Sequence, residues 1–410
     1  MAYGDCGDAC HWHRRLALMH GIPRYRTFNG PAIFRQGFRP FFLGAGIWAV
    51  LSIAIWIAVF RGDVSLQSVF APMRWHVHEM LFGFAAAAVA GFLLTAIPNW
   101  TGRLPLQGVP LIVLFGVWLL GRIAMASSAV IGGVLAAIVD VSFLALLFAV
   151  VCREIVAGRN WRNLPVLAAV AVLIAANSLT QLDANGLVQS GRLGERLGLS
   201  TFVLLISLIG GRIVPSFTRN WLAKNGGGVM PTPFNRFDMG VLLVALAGLV
   251  LWVVGPSSPL TGAVLVVAGL ASFVRLGRWC GWRAFSEPLL WSLHLGYAWV
   301  AAGLVVLGAS VLLPAMVPYP AGIHALGTGA IGTMALAVMT RAIRGHTGRP
   351  LETDTVTTAI YALITLAAIL RVTAPFTPSL GIELIVASGI VWIAAFSLFA
   401  GQYGYWVLTD

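Results

Sequence analysis

Residues 74–84, RWHVHEMLFGF, set an arginine, two histidines, a glutamate and a methionine at the head of a long apolar run. Neutral imidazole is the commonest protein metal ligand and a usual axial ligand of haem. Ionisable groups inside a membrane are costly and are functional candidates by default. Residues two apart on a helix point about 200° from each other, so His76 and His78 cannot share a face. Beneath His76 the helical spacing brings Glu79, Met80, Gly83, Ala87, Ala90 and Gly91, and beneath His78 it brings Leu81, Phe82 and Ala85. His324 heads a second such run, above Gly327, Thr328, Ile331 and Gly332. Small residues under a histidine leave room for a flat prosthetic group, and apolar ones keep water away from it. His294 and His346 complete the histidines of the apolar part of the chain.

The elements that must carry these residues are membrane helices. Of the 410 residues, 59% are hydrophobic and only 10% charged, whereas a soluble globular chain is roughly a quarter charged. Apolar stretches long enough to cross a bilayer recur from end to end. The pattern predicts an all-α polytopic protein with spans near 40–60, 77–97, 108–126, 129–151, 164–183, 197–215, 239–255, 260–275, 289–313, 322–342, 355–373 and 382–403. A tail, 1–38, precedes one transmembrane domain, 39–410. With the N-terminus inside, only Arg61, Arg74, Arg122, Arg192, Arg196 and Arg371 of the 26 Lys and Arg fall at the outer end. That asymmetry predicts cytoplasmic N- and C-termini. It also explains the net charge of +12 without a nucleic-acid partner; the partner surface is the lipid bilayer.

Spans two, six and ten each exit through a segment carrying Arg and Thr: PNWTGRLPL (98–106), GGRIVPSFTRNWL (210–222) and MTRAIRGHTGRPL (339–351). The recurrence every four spans points to three four-helix units. GTGAIG at 327–332 fits a nucleotide-binding pattern only formally, since it lies within a span with no strand before it. On this topology His76, His78 and His324 share the outer membrane level. His294 lies on the cytoplasmic side of span nine, and His346 in the cytoplasmic loop after span ten. The arrangement predicts a site between spans two and ten, and room for a second on the opposite face of span two.

Five segments resemble the NnrS family of bacterial inner-membrane proteins: GFRPFFLGA (37–45), WHVHEMLFGFAAAAVAGFLLTAIPNWTGR (75–103), GGRIVPSFTRNWL (210–222), LHLGYAW (293–299) and HALGTGAIGTMALAVMTRAIRGHTGRPL (324–351). The resemblance implies twelve spans, haem, copper, and a part in denitrification or protection from nitrosative stress. A looser likeness is to haem–copper oxidases, which also have twelve spans in three arcs and haem ligands on spans two and ten. Here the His-x-His pair is on span two, and spans six and seven carry no histidine, so the oxidases' three-histidine copper site is missing.

Combined with that resemblance, the residues give each player an expected role. His78 and His324 are expected to hold a b-type haem, with His76, alone or together with Glu79 or Met80, ligating copper or another second metal or leaving a position open for nitric oxide or another diatomic ligand. His76 and His78 are interchangeable in this scheme. Glu79 and Asp140, the one acid near the middle of a span, are candidate proton carriers or hydrogen-bond partners. Arg122 and Arg74 are candidate partners of haem propionates, and His294 with His346 a candidate inner metal site. Cys6, Cys10, His11 and His13 are spaced to chelate a soft metal, yet read as an unstructured tail. Reduction of nitric oxide would require an electron donor. The competing reading is a secondary transporter of a small solute, against which stand the nearly uncharged span interiors.

Overall fold

A computed structural model describes residues 28–409, which are helical with no strand among them; the Cys6, Cys10, His11 and His13 cluster lies outside these residues. Among the described residues twelve helices are long and apolar enough to cross a membrane, so the chain is a multi-pass membrane protein. They are α1 (Phe38–Arg61), α2 (Pro72–Thr101), α3 (Val109–Ala126), α4 (Gly133–Ala157), α5 (Trp161–Ala184) and α6 (Leu193–Lys224). There follow α7 (Arg236–Val254), α8 (Pro259–Gly277), α9 (Pro288–Leu312), α10 (Tyr319–His346), α11 (Thr355–Phe376) and α12 (Pro378–Thr409). Several run past the apolar stretches that predicted them. α2 starts at Pro72, a residue suited to a first helical turn, so His76 and His78 lie inside the helix instead of at its entrance.

The helices divide into a centre and a surround. In α2, α6 and α10, 61–72% of the most apolar stretch is buried within the protein, against 33–50% in the other nine. These three pack on one another, and the remaining helices enclose them. They are the same three spans that end in the recurring Arg- and Thr-containing segments, which had pointed to three four-helix units and not to a common centre. Each also widens into a π-helical stretch: Glu79–Ala85 in α2, Ile206–Gly210 in α6 and Ala325–Gly332 in α10. Such stretches are rare and concentrate at functional sites.

Glycine sets the closest helix contacts, as expected where lipid removes the hydrophobic drive between helices. A Cβ on Gly308 of α9 would lie 2.6 Å from the carbonyl oxygen of Gly262 in α8, and one on Gly262 would lie 2.9 Å from that of Gly308. Gly322 of α10 is as close to the Leu307 backbone of α9, where an added Cβ would come within 2.6 Å of its Cα. These contacts hold α8, α9 and α10 backbone to backbone.

Candidate functional site

His78 is fully buried and turned toward α3, α4 and α5. Its Nδ1 is 2.9 Å from Glu79 Oε1, and its Nε2 is 3.1 Å from both Asp140 Oδ2 and Asn177 Oδ1. Arg122, from α3, donates to Glu79 Oε2 at 2.6 Å and to Asp140 Oδ1, bridging the two acids. Asn177 and Gln181, one turn apart on α5, donate to Asp140 Oδ2 at 2.7 and 2.9 Å. Gly83 makes the cluster possible, because a Cβ there would lie 2.8 Å from both Arg122 Nη1 and Glu79 Oε2. With both carboxylates ionised, one arginine leaves a net negative charge unless the imidazole carries a second proton. The cluster is sealed, densely bonded and close to neutral, as buried ions in a membrane must be.

His76 faces the opposite way, toward α1, α10 and α11. Its ring stacks on Trp56 of α1, with centroids 4.7 Å apart and planes 19° apart. Its Nδ1 is buried with no hydrogen-bond partner. Met80, one turn on, accepts through Sδ from Ser52 Oγ at 3.7 Å. His324 Nδ1 donates to the Pro320 carbonyl at 2.8 Å. A carbonyl can only accept, so this contact fixes the tautomer and leaves the lone pair of Nε2 available to a ligand. The Arg371 guanidinium of α11 lies within electrostatic range of both rings, and the two rings lie within range of each other. No carboxylate pairs with Arg371 among the described residues, so an arginine and two imidazoles share one region with no anion to balance them.

The other expected participants are engaged elsewhere. Arg74 joins α2 to α5 and α6 through Asp183 at 2.9 Å and Glu195 at 3.0 Å. Arg122 is held between its two carboxylates. His294 Nε2 lies 2.9 Å from Thr218 Oγ1 of α6, with its Nδ1 facing Gly281 and unbonded. His346 packs on Phe38 of α1, with centroids 5.4 Å apart; the two have separate surroundings. Glu79 departs from the regular helical reading: its carboxylate sits with His78 and not beneath His76, in the helix that widens at this residue. Among the described residues, no three His, Cys, Asp or Glu side chains are grouped to hold a metal ion.

Sequence reasoning overlooked Asn177 and Gln181, although two amides one turn apart in an apolar span were a legible signal. It placed Arg371 at the outer end but gave it no task. The family description "NnrS protein" matches residues 32–410. The chain belongs to the NnrS family. Comparison with curated proteins returns no match. Membership links this membrane protein to nitric oxide, and the two oppositely facing histidines of α2 have distinct settings.

Proposed function

We propose that this NnrS protein binds nitric oxide, and reduces it, at a b-type haem held between α2 and α10 by His76 and His324, in a bacterial cytoplasmic membrane with that end outward. One observation supports this most: two imidazoles with uncommitted ring nitrogens share a region with an arginine that lacks a counter-charge. The donor set fits the group: His76 and His324 would hold the iron through their imidazoles, and Arg371 would offer a cation to a propionate. When bound, haem supplies an iron centre able to take a diatomic ligand and exchange electrons, which a membrane partner would have to deliver. Of the two interchangeable histidines, His76 suits the ligand role better, because both nitrogens of His78 are already hydrogen-bonded. Arg371 likewise takes the propionate role first considered for Arg74 and Arg122, which are neutralised by carboxylates.

His78 then has a different task. Its Nδ1 faces Glu79 and its Nε2 faces Asp140, so an imidazole that accepts a proton at one nitrogen can release one at the other. In this reading Glu79, His78 and Asp140 hold and pass the protons that reduction consumes, while Arg122, Asn177 and Gln181 keep Asp140 oriented. The test is the absorption spectrum of purified protein, oxidised and dithionite-reduced, with and without nitric oxide, together with metal analysis. His76→Ala and His324→Ala should each lose the haem spectrum, while His78→Ala and His294→Ala retain it. Loss in His78→Ala with retention in His76→Ala would reverse the two roles. A colourless wild-type protein would overturn the proposal and favour the transporter reading.

A further inference from the structure

The three inner helices do not close on one another. Between them, with Phe42 of α1, lies a partly open cavity of about 90 Å³, several of whose lining residues are only half-buried. All three π-helical stretches border it. Each contributes to the wall: Ala85 from α2, Gly210 from α6 and Ile331 from α10. Ala88, Ala335 and Met334 continue the lining. Along α2 and α10 it begins roughly 10–14 Å beyond His76 and His324, at 1.5 Å per residue.

We infer that this cavity is a binding site for a small apolar gas molecule, which is nitric oxide if the proposed function holds. Chemistry and size both select that occupant. Every lining side chain is apolar, and a water molecule needs two to four polar partners to be held in a cavity, so water is disfavoured. An apolar cavity of roughly 150 Å³ takes benzene or xenon; one of about 90 Å³ admits a xenon atom or a diatomic molecule and excludes a porphyrin. A dissolved gas reaching the bundle from lipid would find a dry resting place at its centre, on the same two helices as the candidate haem ligands.

The experiment is xenon binding to the purified full-length protein, followed by the ¹²⁹Xe chemical shift under increasing xenon pressure. Saturable binding is expected in the wild type. It should be lost in Ala335→Phe and in Ala88→Phe, which fill the cavity from α10 and α2, at unchanged elution volume and melting temperature. Gly210→Ala provides a gentler filling: its added Cβ would approach no atom of another helix closer than 3.8 Å, so the fold should accept it. It should weaken xenon binding. Absence of saturable binding in the wild type, or binding unchanged in all three variants, overturns the inference. Because xenon needs no haem, uptake by a colourless protein would leave the cavity assignment standing while removing the haem proposal.

Discussion

At the scale of single residues, the two histidines of α2 differ in what their neighbours have already taken from them. His78 has no uncommitted nitrogen, whereas His76 and His324 do. The sealed cluster around His78 yields the largest stability prediction. Arg122→Met leaves Glu79 and Asp140 buried without their cation, and removal of one member of a buried ionic set typically costs about 3–5 kcal/mol. A thermal melt in detergent should show it, and Arg122→Met combined with Glu79→Gln and Asp140→Asn should recover part of the loss. Arg371→Gln should behave differently, preserving the melt of the haem-free protein but lowering haem retention on dilution. Asp354, outside the spans, gives a pH prediction. Burial works against its charge, but the Thr357 backbone N–H, 2.7 Å away, with Gln402 and Arg344, outweighs it and holds the carboxyl below the usual range. A depressed folded value contributes stability that is complete above the unfolded value of about 3.9 and is lost as pH falls through the folded one. Asp354→Asn should therefore flatten the decline of melting temperature below about pH 4, with less effect on its slope near neutrality.

At the scale of elements, the order and approximate extent of all twelve helices could be read from apolar length; the similar exit segments of α2, α6 and α10 pointed to three four-helix units, and not to the central packing of these three. The π-helical stretches could not be read. Apolar residues surround the inner helices on every side, so no periodicity marks where the winding loosens. That explains why Glu79 was assigned to the face of His76: the assignment assumed a regular 3.6-residue turn through a segment that widens at Glu79 itself. Arg371 escaped notice because its significance depends on what α11 brings it beside. The helix contacts make their own prediction. Gly308→Leu forces apart the α8 and α9 backbones and should cost roughly 1–3 kcal/mol or more. Gly116→Leu on α3, where an added Cβ meets nothing within 4 Å, should change stability little, measured in the same melt.

At the scale of the whole molecule, the charge asymmetry predicts which end faces out. A single cysteine at Ser190, in a background lacking the native cysteines, should react with an impermeant maleimide added to intact cells, and one at Asn225 only after lysis; the reverse pattern would invert the molecule. The architecture is a three-helix centre within an enclosing set, and its perimeter is uneven in height. α7 and α8 have 19 residues each, whereas α6 and α12 have 32. At 1.5 Å per residue the first pair reaches about 28 Å, slightly less than a hydrocarbon core of about 30 Å, and the second pair about 48 Å. α3, with 18 residues, is as short. Lipids beside these three helices must compress more than those beside α6 and α12. The protein therefore carries thin sectors in the membrane plane, where short-chain lipids would gather and a similarly thin neighbour would find the least resistance to coming alongside.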